Sequence, residues 1–192
     1  MSGVDGLRLY LLGGLVLHKL VWEVLKRRQG VRSAPKQKQG LKLLMVKAVK
    51  VGILAAIVVQ TLLPDVFPIT PQPGALRSWG LAIYTAGLVI AVAGRLQLGG
   101  NWLDIETAAV LERQRVVDGG LYRYIRHPIY TGDLLLLVGL ELALNSWCVV
   151  LVALLAPPVM LKAVAEERML ARTLPGYSEY CRRTKRFVPF VV

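Results

Sequence analysis

Hydrophobic residues run in five long stretches, separated by polar segments. The first, residues 7–25 (LRLYLLGGLVLHKLVWEVL), is interrupted by His18, Lys19 and Glu23, which places its inner end at headgroup depth. The second covers about 46–63 and stops at Pro64, with Lys47 and Lys50 in its first turns, where their stems can snorkel to the interface. The third covers about 79–98 and opens on Trp79; the fourth covers about 129–144 and contains LLLLVGLELAL. The fifth covers about 147–165 and carries Pro157-Pro158 in its middle. A helix needs about 20 mainly apolar residues to cross a bilayer. The pattern therefore predicts an all-α integral membrane protein of about five transmembrane helices. Only Asn145-Ser146 separates the last two, which predicts a tight antiparallel hairpin at the C-terminal end. Tyr130 to Trp147 is 18 residues, roughly 27 Å of helix, just enough to span. Each proline of Pro157-Pro158 removes a backbone donor, so a kink or break is expected there, fitted to the bundle or bordering a cavity.

Composition supports this picture. Hydrophobic residues make up 55% of the 192 and charged residues 19%, while the net charge is +12. Soluble proteins average about 45–50% and about 25%. A basic chain poor in charged residues and rich in aliphatics is a membrane protein with cationic loops, not a nucleic-acid-binding domain. The basic residues fall in three segments: 26–42 (KRRQGVRSAPKQKQGLK), 95–126, and the tail after Lys162. The opposite side holds only Arg8 and Arg77. Five spans put all three basic segments on one side, the cytoplasm, with the N-terminus outside. The 26–42 loop could also hold anionic lipid headgroups. Cys148 and Cys181 then lie on opposite faces and are expected to be free thiols, and no CxxC or His-Cys cluster suggests a metal site. No basic region precedes the first span and no small-residue cleavage site follows it, so it does not read as a signal peptide. The whole chain, 1–192, is read as one domain, and the proline-rich 64–75 segment as an outer loop without chemistry.

Candidate chemistry lies in residues 99–128, GGNWLDIETAAVLERQRVVDGGLYRYIRHP. Asp118-Gly119-Gly120 reads as a turn, and Pro128 suits the first position of a helix. His127 is then its N-cap or close to it, and the positive end of the fourth span sits beside His127 and Tyr130. Tyr130 and Asp133 share a helix face. Two readings stand: a site for a small anion at the cytoplasmic mouth, or a capped helix flanked by an interfacial belt of Tyr122, Tyr124 and Tyr130. Lys162 and Glu166 are one turn apart at the inner end of the fifth span, with Glu167 next to them. They form either a surface ion pair or part of a site. Glu141, in mid-stretch, must be protonated or paired, and lines either a polar cavity or the outer interface.

GLYRYIRHPIYTGDLL, one hydrophobic hairpin, and then AEERML…GYSEYCRRTKRFVPF together resemble the isoprenylcysteine carboxyl methyltransferase family. That family belongs with a wider group of membrane methyltransferases that includes the phospholipid N-methyltransferases. The likeness covers about residues 95–192, the half expected to hold the cofactor. It implies S-adenosylmethionine in a cytoplasmic pocket between the 99–128 loop, the hairpin and the tail. By position, Gln114, Arg115, Val116, Val117, Tyr122, His127, Pro128, Ile129, Tyr130 and Glu166 would bind the cofactor. Lys162 stands where the prenylcysteine enzymes have an arginine, and would orient the acceptor or the cofactor. A lysine cannot make arginine's planar bidentate grip on a carboxylate. Leu174-Pro175-Gly176 also departs from the family's more usual Phe-Gly. The resemblance implies a lipophilic methyl acceptor: the carboxylate of a prenylated cysteine, a phospholipid amine, a quinone-like lipid or a small thiol. A nicotinamide-dependent membrane sterol reductase and a non-catalytic membrane scaffold are the alternatives.

Overall fold

A computed structural model describes residues 3–28, 41–63, 65–101 and 115–188. Among the described residues six α-helices follow one another: α1 (Gly3–Arg28), α2 (Leu41–Leu62), α3 (Gly74–Leu98), α4 (Pro128–Ala143), α5 (Val149–Thr173) and the short α6 (Tyr177–Arg183). Short 3₁₀ turns occupy Gly99–Asn101 and Gly120–Arg123. Among the described residues the only β pairing is two isolated bridges, Pro68 with Ser146 and Ile125 with Lys185. The all-helical expectation holds, and a helix covers each predicted apolar stretch to within two residues. Among the described residues two helical segments, Gly74–Asn101 and Val149–Thr173, are long and apolar enough to cross a membrane. The others differ for visible reasons. The apolar part of α2 is Val51–Leu62, α4 has 16 residues, and α1 carries charges at both ends.

The α3–α4 pair is the rigid centre, and small residues make it so. Gly80, Gly87 and Gly94 recur every seven residues on α3, and Gly132 and Gly139 do so on α4. A β-carbon at Gly80 would strike the backbone of Ala143, and one at Gly87 the backbone of Leu136. One at Gly132 would strike Ala91, and one at Gly139 the backbone of Tyr84. This register is antiparallel and brings the backbones into direct contact, the way apolar helices associate in lipid, where packing replaces the hydrophobic effect. It also sets the start of α4, since Gly94 faces Pro128 and Ile129. α1 crosses α3 where Gly14 makes room for the Tyr84 ring, whose hydroxyl donates to the Leu11 carbonyl at 2.6 Å.

The turn between α4 and α5 is built on Asn145, in the left-handed region at φ 57. Its side chain accepts from the Thr70 amide at 3.1 Å and donates to the Thr70 carbonyl at 2.8 Å. The proline-rich segment thus caps the hairpin turn. Nearby, the buried Glu141 accepts from Gln60 Nε2 of α2 at 2.6 Å, so this mid-stretch carboxyl has a hydrogen-bond partner. Neither Cys148 nor Cys181 forms a disulfide. α5 is one continuous helix through Pro157 and Pro158, so of the kink or break expected there the break is absent. Each ring still removes one backbone donor and leaves a carbonyl of the preceding turn without its helical bond. Apolar side chains cover the outside of the bundle, among them Leu17 and Leu20 of α1, Val51 and Val59 of α2, Val89 of α3 and Leu154 and Leu161 of α5. So extensive an apolar surface suits lipid as solvent.

Candidate functional site

The residues just before α4 are held by a layered set of backbone bonds. Gly120, at φ 58, packs on the Gln97 amide, whose Oε1 accepts from the Leu121 N–H at 2.8 Å. The 3₁₀ turn that follows buries Tyr122. The chain beyond α6 then lies alongside: Arg126 N–H donates to the Lys185 carbonyl at 2.8 Å, and His127 N–H to the Arg186 carbonyl at 3.1 Å. The Tyr180 hydroxyl closes the layer on the Tyr122 carbonyl at 2.8 Å. His127 is the N-cap and Pro128 the first residue of α4, as expected, but the imidazole makes no capping bond. It turns instead to α5.

There it meets Glu167. This carboxylate accepts from His127 Nε2 at 3.1 Å, from Arg126 Nε at 2.8 Å, and from Arg186 Nε and Nη2 at 3.0 and 2.8 Å. A carboxylate facing two guanidiniums is ionised, so His127 donates through Nε2, which leaves Nδ1 on the other side of the ring. Arg126 reaches on to the carbonyls of Cys181 and Thr184. The Glu167 side chain is 11% exposed, so its charge relies on these partners rather than on water. One carboxylate therefore ties α5, the start of α4 and the C-terminal segment together. Glu167 was noted in the sequence beside Lys162 and Glu166 but not among the cofactor-binding residues, and Arg126 and Arg186 were not singled out as site residues. The signal was there in the paired Glu166-Glu167 and the basic tail, but spacing alone does not match them.

The neighbouring Glu166 faces the other way. It accepts from the Tyr130 hydroxyl at 3.0 Å and lies 3.9 Å from His127 Nδ1. The Tyr130 ring stacks on His127 at 5.3 Å, and Lys162 Nζ lies 5.6 Å from its centroid. The ion pair that spacing suggested between Lys162 and Glu166 is absent among the described residues, because Tyr130 stands with both.

These groups border one cavity of about 240 Å³. α4 contributes Ile129, Tyr130 and Asp133, and α5 contributes Lys162, Glu166 and Leu170. Arg115, Val116 and Val117 form a further wall, and Tyr122, Tyr177 and Tyr180 an aromatic one. Burial pushes the phenols of these three tyrosines upward, so they stay neutral donors. Burial likewise raises the Cys181 thiol. Of the residues expected here, Arg115, Val116, Val117, Tyr122, His127, Ile129, Tyr130, Lys162 and Glu166 line this cavity. Pro128 is buried beside it without lining it, and Gln114 lies outside the described residues. The cavity also takes in Asn101, Asp133 and, from α1, Trp22, none of which was expected to bind the cofactor. Asn101 Oδ1 accepts from the Arg115 N–H at 2.8 Å and so fixes the start of the 115–117 wall.

The family model for phospholipid methyltransferases matches residues 76–175. The cobalt-zinc-cadmium resistance protein CzcN of Cupriavidus metallidurans is 34% identical over 111 residues, 57% of this chain and 49% of its own length. The nickel-cobalt-cadmium resistance protein NccN of Alcaligenes xylosoxydans xylosoxydans is 30% identical over 111 residues, with the same shares. The chain spans about half the length of these curated relatives. Among solved structures, the eukaryotic intramembrane Ras methyltransferase ICMT (isoprenylcysteine carboxyl methyltransferase) shares the fold. Its TM-score is 0.61 at 19% identity, covering 96% of this chain and 68% of that one. The matched region takes in α4, α5 and most of α3, more than half of the residues, and the chain belongs to the phospholipid methyltransferase family.

Proposed function

We propose that the chain is an S-adenosylmethionine-dependent methyltransferase embedded in the membrane, acting on a lipophilic acceptor at the cytoplasmic face. The observation that carries this reading is the convergence of Tyr130, Glu166, Lys162 and His127 on a single cavity walled by Val116, Val117 and three tyrosines. Such a donor set fits the cofactor part by part. The Glu166 carboxylate suits its ammonium or ribose, and the aromatic and aliphatic walls suit its adenine. Arg115 and the start of α4 suit its carboxylate. When bound, the cofactor supplies an already activated sulfonium methyl, so little covalent chemistry is left to the protein.

What this chain's residues do is position and enclose. Glu167 holds His127 and the C-terminal segment against the site, while Tyr130 holds Glu166. Lys162 orients an anionic group of the acceptor or the cofactor. Methyl transfer is in-line displacement, and fixing the nucleophile within reach of the methyl is worth several orders of magnitude in rate. The proposed topology has five spans, the N-terminus outside and the basic segments in the cytoplasm of a prokaryotic plasma membrane. The acceptor enters sideways from the bilayer.

The relatives' names connect them with metal resistance. Among the described residues no group of three or more His, Cys, Asp or Glu is placed to hold a metal ion, and the reading given to this chain is methyl transfer. Tritium-labelled S-adenosylmethionine, incubated with the protein in nanodiscs of total membrane lipid, tests it. Label moving into the organic-extractable fraction supports methyl transfer to a lipophilic acceptor. Binding of a nicotinamide dinucleotide in place of S-adenosylmethionine would move the assignment to a reductase. Binding of neither would leave a scaffold.

A further inference from the structure

Every seventh residue from Trp147 onward marks one exposed line down α5: Trp147, just before the helix, then Leu154, Leu161 and Arg168. The first three are 57%, 66% and 72% exposed, and Arg168 is exposed too. A seven-residue step turns a helix by only about 20°, which keeps the four on one side. In a membrane that side faces lipid. Trp147 to Arg168 is a step of 21 residues, a helical rise of about 32 Å, and a bilayer's hydrocarbon core is about 30 Å thick. Tryptophan favours the membrane interface. With the indole at one interface, the change from leucine to arginine falls at the other. Arg172 follows one turn further on, also exposed.

Two arginines one turn apart on a helix repel each other, and neither makes an ion pair or a side-chain hydrogen bond among the described residues. Arg182 and Arg183 of α6, by contrast, lie 2.9 Å from Glu179 and 3.9 Å from Asp118. The helix dipole favours a cation in the last turn, which accounts for Arg172 and not for Arg168. Each stands two positions after a cavity-lining residue, Glu166 and Leu170, which turns it about 160° away from the cavity. Their counter-ion is therefore external. A guanidinium matches a phosphate with two parallel hydrogen bonds, and at this depth phosphate belongs to lipid headgroups. A zwitterionic headgroup carries its own cation, whereas a net-negative one leaves its charge to the arginines. We propose that Arg168 and Arg172 form a docking site for the phosphate of an anionic phospholipid in the leaflet opposite Trp147. A lipid held there fixes the depth of α5, and with it that of Lys162 and Glu166 on the same helix. The site requires, of the reading above, only that α5 spans a membrane, so its failure would leave methyl transfer untouched.

Native mass spectrometry tests it by counting the lipids retained when the purified chain leaves detergent that holds equal amounts of dioleoyl phosphatidylglycerol and dioleoyl phosphatidylcholine. The wild type should retain phosphatidylglycerol in preference. Arg168→Gln and Arg172→Gln should each lower that preference about fivefold, the worth of one arginine at an anionic surface, and the double variant should abolish it. Arg168→Lys and Arg172→Lys keep the charge without the planar fork and should fall between wild type and the glutamine variants. Thermal unfolding in phosphatidylcholine nanodiscs should be the same for the double variant and the wild type, as expected of exposed side chains. Arg182→Gln should leave the preference unchanged, and excess inorganic phosphate should not displace the lipid. A wild type without the preference, or a double variant that keeps it, overturns the site. So does an equal loss in Arg182→Gln, which would make the effect one of diffuse surface charge. Displacement by inorganic phosphate would overturn the lipid as occupant and leave a site for soluble phosphate.

Discussion

His127 Nε2 and Glu167 Oε1 lie 3.1 Å apart, joining the first residues of α4 to the inner part of α5. The bond decides what the imidazole does. With Nε2 committed, its opposite edge is presented toward Glu166, 3.9 Å away, and its face to Tyr130. Because Arg126 and Arg186 bind the same carboxylate, the cavity wall and the C-terminal segment share one fastening.

Glu167→Ala should therefore act as a folding and a binding defect together. It leaves two guanidiniums and an imidazole without their counter-ion, and removal of one partner from a buried ion pair costs about 3–5 kcal/mol. Arg186 is partly exposed, which lowers the expectation to about 2–3 kcal/mol. Thermal unfolding in detergent measures the loss. Arg186→Ala should give a smaller drop, and proteolysis of the folded protein should then cut first in the segment after Arg183.

Tyr130→Phe removes the hydroxyl that holds Glu166 at 3.0 Å but keeps the ring that stacks on His127. Stability should stay within about 1 kcal/mol of wild type. Affinity for S-adenosylmethionine should fall by roughly five- to tenfold, the size of one ordinary hydrogen bond. Equilibrium titration separates this from a folding defect.

Gly139→Leu should disrupt the bundle, since its side chain has only the backbone of Tyr84 to occupy. Overpacking of this kind costs about 1–3 kcal/mol even in forgiving cores, and here two backbones must separate. Gly52→Leu is the control, because nothing lies within 4 Å of a β-carbon there. Melting temperatures should differ between the two variants, with Gly52→Leu close to wild type.

Gln60→Leu should destabilise by about 1–3 kcal/mol, since Glu141 is buried and loses the donor 2.6 Å away. Glu141→Gln, which keeps the shape and a hydrogen-bonding oxygen, should cost less. The ordering of the two unfolding temperatures is the check.

Much of this arrangement is legible in the residue order, and the limits are physical. Pro128 announces a helix start, and a run of apolar residues announces each of α1 to α5, because proline's first-turn preference and hydropathy are local properties. The cavity residues Tyr130, Glu166 and Lys162 were legible through spacing and likeness to a family. The three-fold fastening of Glu167 was not. It depends on Arg126 and Arg186, which are 41 and 19 residues away and meet only after α4, α5 and the C-terminal segment have packed. The seven-residue glycine repeat of α3 looks like ordinary membrane composition until α4 lies on it. At Pro157-Pro158 the local rule allowed a kink or a break, and the helix is not broken there.

The central claim is that His127 and Glu166 belong to a cofactor site, and calorimetric titration of S-adenosylmethionine and S-adenosylhomocysteine into the purified protein tests it most directly. The account predicts that the wild type binds both, and that His127→Ala and Glu166→Ala each weaken binding at least about tenfold while the protein remains folded. A folded wild type that binds neither, or variants that bind as tightly as wild type, would contradict it.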